Sequence, residues 1–350
     1  MPALTAASGS LQAEQALPRR TVLAQVRAAL AMIETDPAAR QLVTGSPTTT
    51  DTAGGLTDWL YLHWWCGSAR PAATAPTDPG EAARGAARLE AARRTVAARS
   101  DGWLVLASVG GELVAARLPR PGRAETARVQ HADRDAQAEH RVRTSAEAVV
   151  SSSRPGLSPR PGDLVTLRHG ESGLDPTGGW WWAHTGRPDA LSSAPLERWY
   201  VHARDLTAAA ALVPVLLSTA AEAGCDVSIK CPPVGAGYGR RDALVVYLPR
   251  DRAAAAETAL RRRADAVAGL VELEVPPLTR PVLAGVSAAD DPGAEHGPVS
   301  YGQLRCSQVA ALAARVLGTA VGTGTIDDPA LIGELTELGV DADAAHRVSL

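Results

Sequence analysis

The stretch from Cys225 to Arg241 reads Cys-Asp-Val-Ser-Ile-Lys-Cys-Pro-Pro-Val-Gly-Ala-Gly-Tyr-Gly-Arg-Arg and holds Lys230, the sole lysine among 35 lysines and arginines. Arginine stays protonated in proteins, whereas a lysine gives up its proton when buried or placed near other cations. Lys230, close to Arg240 and Arg241, is therefore a candidate general base. A compositional bias accounts for the scarcity of lysine equally well, since the chain also has no Phe and no Asn. Upstream, Glu197 to Arg204 alternates as a strand does: Arg198, Tyr200, His202 and Arg204 share one face, and Trp199, Val201 and Ala203 the other. Leu206 to Ala223 is Ala/Leu-rich and helical, with Pro214 expected to kink or split it and Gly224 to end it. Asp226 to Lys230 is a second strand, with Val227 and Ile229 inward. Strand, helix and strand in that order can lie as neighbours with the helix on the apolar face. His202 and Lys230 would then emerge together on the uncovered face.

One reaction uses a neutral lysine, a protonated histidine and several arginines without metal or cofactor: β-elimination of phosphate from phosphoserine or phosphothreonine. The Cα proton is weakly acidic, so a base must sit against it, and nearby arginines lower a lysine's pKa toward that task. The departing phosphate carries close to two negative charges, which bidentate guanidinium groups match. Lys230 would be the base, His202 the acid, and Arg240, Arg241 and Arg305 the phosphate clamp.

The rest of the chain must position these groups. At 350 residues two domains are expected. A net charge of −3 lacks the basic balance of a nucleic-acid binder. Four scattered cysteines give neither a zinc pattern nor a disulfide framework. No secretory pattern or apolar run of membrane-spanning length is apparent, so a cytoplasmic location is expected. Thr21 is read as capping an amphipathic helix, and Leu56 to Trp65 as a buried or interface helix in which His63 is an interior group. A helix is expected from about Glu81 to Arg99, and a hairpin from Trp103 to Leu118 about Gly110-Gly111. Pro119 to Gly162 reads as an exposed helix and a linker. Asp163–Arg168 could pair with Trp180–His184, and the run Trp180-Trp181-Trp182 with a packed sheet edge. Asp242–Leu248 and Leu270–Val275 read as strands flanking a helix from Arg252 to Ala268. A long loop from Pro276 to Pro298, a helix from Ser300 to about Leu317, a short helix at Asp328-Pro329 and a mobile tail complete the chain. Walker A, Gly-x-Gly-x-x-Gly, H-E-x-x-H and G-x-S-x-G signatures are absent.

Several of these pieces together resemble a known family. They are Arg198-Trp-Tyr-Val-His202, Cys225-Asp-Val-Ser-Ile-Lys230, Tyr238-Gly-Arg-Arg-Asp-Ala-Leu-Val-Val-Tyr247, Pro276-Pro-Leu-Thr-Arg280, Gly285 and Ser300-Tyr-Gly-Gln-Leu-Arg305. They look like the Hop-type, type III effector-like proteins that serve as lyase partners in class V lanthipeptide and thioamitide pathways. The order is also similar to the lyase domains of class III lanthipeptide synthetases and to phosphothreonine lyases. Those carry further lysines where this chain has Tyr200 and Ser228. The resemblance implies Lys230 as base and His202 as acid, with His184 and His296 as alternative acids. It adds Arg198 and Arg280 to the phosphate-binding set, and Tyr200, Tyr247 and Tyr301 as supporting residues.

The sequence therefore predicts an α+β protein: a mainly helical N-terminal docking domain with linker over 1–160, and a mixed β-sheet covered by helices over 161–350. The implied function is a metal-independent carbon–oxygen lyase needing no cofactor. It would act on a phosphorylated leader–core precursor peptide supplied by a separate Ser/Thr kinase, with neither nucleic acid nor membrane as partner. A non-catalytic phosphopeptide-binding module or kinase scaffold is the alternative, and an effector binding a host protein is a third reading.

Overall fold

Alternation of polar and apolar residues in Glu197–Arg204 builds a strand with both faces covered, near the middle of a seven-stranded sheet. The computed structural model describes residues 17–44, 51–67, 79–96, 100–117, 140–145, 149–167, 171–175, 177–185, 191, 195–297, 299–317 and 326–348. In chain order the helices are α1 (Arg19–Thr35), α2 (Pro37–Thr44), α3 (Asp51–Leu60, ending in a π-helical turn Tyr61–Trp65) and α4 (Pro79–Arg93). After them come α5 (Leu206–Ala223), α6 (Ala253–Arg261), α7 (Ala264–Ala268), α8 (Tyr301–Leu317) and α9 (Asp328–Glu337). A five-stranded sheet, β3-β2-β1-β5-β4, contains β1 (Ser100–Val109), β2 (Glu112–Arg117), β3 (His140–Ser145), β4 (Val149–Ser152) and β5 (Leu164–Leu167). The seven-stranded sheet has the order β11-β12-β8-β10-β9-β7-β6. Its strands are β6 (Glu171–Leu174), β7 (Trp181–His184), β8 (Leu196–Val201), β9 (Ser228–Cys231), β10 (Leu244–Pro249), β11 (Arg280–Leu283) and β12 (Val286–Asp290).

The architecture is α+β, as the sequence indicates, but every strand pairing is antiparallel where a mixed sheet was expected. The β8–α5–β9 unit exists, yet β8 and β9 are not neighbours. The later strand β10 inserts between them, pairing Val245 with Tyr200 on one side and with Lys230 on the other. Helix α5 starts at Asp205, whose carboxylate accepts from the Ala208 N–H at 2.8 Å, and ends at Gly224 with φ 65°. Pro214 lies inside one continuous helix rather than splitting it. By length and composition α5 could cross a membrane, contrary to the expectation of no such run; here its Leu212, Val213, Leu216 and Leu217 are buried against the sheet.

Two cores flank the large sheet. Trp181, Trp199, Val201, Ile229, Val246 and Val286 pack beneath α4, α5 and α6. On the other face Tyr200, Val245 and Ala289 join a core made by α1, the Leu60–Cys66 segment, α8, α9 and the segment to Ala345. The face expected to be uncovered is thus roofed over its β8 end. Residues 17–44 and 51–66 share this core with the C-terminal half, and β5 pairs with β1 and β4 across position 160.

Other local expectations change for identifiable reasons. Residues 140–145 and 149–152 form strands, since β2 and β5 offer them open edges; the remainder of the supposed helix lies outside the described residues. Strand β7 pairs with β6 and β9, not with β5. Leu270–Val275 forms only a single bridge, Val271 to Ala203. The supposed long loop contains the β11–β12 hairpin, turning at Gly285 with φ 71°. Segment Arg252–Ala268 divides into α6 and α7. The tail through residue 348 is anchored rather than mobile, because Asp290 accepts from the Val348 N–H and pairs with Arg347.

Helix α4 reaches the site through Gly85. A β-carbon there would lie 1.6 Å from the carbonyl oxygen of Pro233, three residues past Lys230. In an unobstructed helix Gly→Ala is stabilising, but here overpacking should cost about 1–3 kcal/mol. Gly85→Ala is expected to lower the thermal midpoint; an increase would show that this close approach does not occur.

Candidate functional site

The register places the site residues on one face of the large sheet. One cross-strand row runs Trp182, Lys230, Val245, Tyr200, Ser287; the next runs His184, Ser228, Tyr247, Arg198, Ala289. Adjacent strands alternate in phase, so these two rows face the same way, and Tyr247 is a diagonal neighbour of Lys230. Lys230 is half-buried, and among the described residues its Nζ has no hydrogen-bond or ion-pair partner. It lies 4.3 Å from the centroid of the Trp180 ring. Trp180 is held by a turn closed on Asp175, which accepts from the Trp180 N–H and the Thr177 hydroxyl.

Burial chiefly lowers the Lys230 pKa below its ordinary 10.5. The carboxylate of Asp175, and more weakly that of Asp242, opposes the shift, while Arg198 and Arg240 reinforce it. The folded state therefore holds this proton less tightly than the unfolded chain does. The resulting stability cost is present at neutral pH and fades as pH rises through 10.5.

Two arginines stand over this face on carboxylate anchors. Arg198 Nε donates to Asp291 at 2.5 Å, and its guanidinium carbon lies 5.0 Å from the centroid of the Tyr247 ring. Arg240 is buried against Asp242 through two hydrogen bonds of 2.9 and 3.0 Å, and Asp242 also accepts from the Tyr61 hydroxyl at 3.0 Å. Among the described residues the Arg240 Nη1 and the Tyr200 hydroxyl are buried without hydrogen-bond partners. Unspent donors around a half-buried amine make a setting suited to an anionic group.

The other expected residues fall elsewhere. His202 lies one residue past β8, its Nδ1 3.0 Å from the Glu274 carbonyl oxygen. Two strand spacings and two residues separate it from Lys230, on the order of 12 Å between α-carbons. Arg241 donates to the Glu274 carboxylate at 2.7 and 2.9 Å and to the Trp64 carbonyl oxygen, so it joins His202 rather than Lys230. Arg280 lies in register with Trp199, on the opposite face, and is paired with Glu257 and Glu197. Arg305 donates to the carbonyl oxygens of Ala345 and Arg347, and Tyr301 to those of Leu278 and Ala345; both hold the C-terminal segment. His184 stacks on Trp182, with ring centroids 4.8 Å apart, while His296 lies in a short 3₁₀ turn, Ala294–His296.

Asp242, Asp291, Asp175, Tyr61 and Trp180 were not selected from the sequence. Asp242, two residues after Arg240, offered the clearest signal, and Trp180 was visible but read as packing. Among the described residues no group of His, Cys, Asp and Glu is disposed to hold a metal ion.

Residues 182–346 match the HopA1 effector protein family. The matched segment carries Lys230, Tyr200, Tyr247, Arg198 and Arg240, while Trp180, Asp175 and Tyr61 precede it. Among solved structures, an effector protein from Pseudomonas syringae pv. tomato strain DC3000 aligns at 12% identity and TM-score 0.46 over 97% of this chain and 100% of that one. An effector protein from Pseudomonas syringae pv. syringae strain 61 gives 14% identity and TM-score 0.45 over 95% and 100%. No curated protein matches the sequence.

Because Lys230 is the sole lysine, isotope labelling of lysine yields a single side-chain resonance to titrate. That resonance should titrate below 10.5. Asp175→Asn should lower its midpoint further, and Arg198→Met should raise it. A midpoint at or above 10.5 in the unmodified protein would contradict the site's electrostatics.

Proposed function

We propose that this protein is a carbon–oxygen lyase that eliminates phosphate from phosphoserine or phosphothreonine in a peptide. The observation that carries the proposal is the half-buried Lys230, without an ion pair among the described residues, beside Arg198 and Arg240. Burial and neighbouring cations favour the neutral amine, and a neutral amine can remove a Cα proton. Arg198 and the unspent Nη1 of Arg240 supply positive charge for the phosphate. Removing the Cα proton while the Cβ–O bond breaks yields dehydroalanine or dehydrobutyrine and inorganic phosphate.

The substrate we infer is a ribosomally made precursor peptide of the lanthipeptide or thioamitide kind, phosphorylated by a separate Ser/Thr kinase. This part of the proposal rests on the sequence resemblance. The N-terminal helices, which leave Trp59 and Tyr61 only partly buried, are a candidate kinase-docking element, as aromatic residues often serve interfaces. Within this reading Glu274 anchors Arg241, and His202 fixes the backbone of the same segment.

Incubation with an authentic phosphopeptide, followed by mass spectrometry, tests the proposal. The unmodified protein should convert phosphoserine to dehydroalanine with release of phosphate. Lys230→Met should reduce turnover by about 10²–10⁴-fold while leaving the thermal midpoint unchanged or higher, because it removes a charge that burial disfavours. Binding without turnover by the unmodified protein would favour a phosphopeptide-binding scaffold. Equal turnover by Lys230→Met would exclude lysine as the base.

A further inference from the structure

The elimination needs a proton donor for the departing oxygen, and the fold restricts where that donor can be. A carbonyl oxygen only accepts, so the Nδ1 of His202 donates to Glu274. That bond holds His202 beside the Glu274 backbone, across β10 from Lys230 and on the order of 12 Å from it between α-carbons. The hydroxyl of Tyr200 is buried, and its ring meets that of Trp65 edge to face at 5.5 Å between centroids.

We propose that Tyr247 is the general acid of this site, its hydroxyl donating to the bridging oxygen of the phosphorylated residue as Lys230 takes the Cα proton. This assignment rests on the lyase reading. Three observations support it. Tyr247 is one strand from Lys230 and diagonal to it, in the row that also contains Arg198. Its hydroxyl has no hydrogen-bond partner among the described residues, and its side chain is only partly buried, unlike that of Tyr200. The Arg198 guanidinium stands over its ring, so a phosphate held by Arg198 lies beside the phenol. Burial chiefly raises the Tyr247 pKa, with Arg198 opposing, which keeps the phenol in its donor form at neutral pH.

The step balances. The Cα–H pair becomes the new Cα=Cβ bond as the Cβ–O bond breaks. The Tyr247 proton moves to the leaving oxygen, and phosphate departs as the hydrogen phosphate dianion. This leaves a Lys230 ammonium and a Tyr247 phenolate, and return of one proton from the first to the second restores the site.

The test compares Tyr247→Phe, Tyr200→Phe and His202→Gln on a phosphoserine peptide and on the same peptide bearing O-sulfoserine. Sulfate leaves without protonation, so it does not need the acid. Tyr247→Phe should lower kcat on the phosphopeptide by about 10²–10⁴-fold with KM little changed, and should keep any activity the unmodified protein has on the sulfopeptide. Any loss in Tyr200→Phe or His202→Gln should be equal on the two peptides, since neither residue protonates the leaving oxygen. A Tyr247→Phe variant within threefold of the unmodified kcat would overturn the assignment, as would a larger and leaving-group-selective loss in either of the other variants. No elimination from phosphoserine by the unmodified protein would instead overturn the lyase reading on which the assignment depends.

Discussion

The buried pair of Arg240 and Asp242 joins the parts of this molecule that matter for its chemistry. Asp242 holds Arg240 through both guanidinium bonds and accepts the hydroxyl of Tyr61, so the π-helical end of α3 is tied to the turn that leads into β10. Breaking a buried pair by removing one partner typically costs about 3–5 kcal/mol, since the survivor is left charged and uncompensated. Both members also bear on Lys230, Arg240 lowering its pKa and Asp242 raising it. The same interaction therefore docks the N-terminal helices and helps set the proton affinity of the candidate base.

Strand β10 is the second constraint. Its insertion between β8 and β9 puts Val245 between Tyr200 and Lys230, and brings Tyr247 next to the lysine instead. Segment Gly235–Arg241 must close the loop from β9 back to this central position. There Gly237 packs against Pro232 so closely that a β-carbon would lie 2.2 Å from the proline ring. The catalytic proposal is thus a consequence of topology as much as of residue type.

How far the site was legible follows from which information is local. Lys230 was visible because composition isolates it, and the polar face of β8 because alternation does. Helix α5 and its Gly224 terminus follow from residues in immediate sequence. Pro214 does not split the helix, because a proline can be carried within one when the packing around it is favourable. The order of the strands is non-local, so the neighbour relation of β8 and β9 could not be read, and His202 was placed too close to Lys230. Arg280 and Arg305 look like phosphate ligands by type, but Glu257, Glu197 and the C-terminal carbonyl groups that engage them are distant in sequence. The surroundings of Lys230 share this difficulty: nothing near Asp175 or Trp180 in sequence points to β9.

The central claim is that the Lys230 amine removes the Cα proton of a phosphorylated residue. Comparing phosphate release from a phosphoserine peptide carrying hydrogen or deuterium at Cα, under single-turnover conditions, tests it most directly. The account predicts slower release from the deuterated peptide, with dehydroalanine as product, and loss of both release and product in Lys230→Met. Release at the same rate from both peptides with serine as product would contradict it, because the P–O bond rather than the Cβ–O bond would then be the one broken.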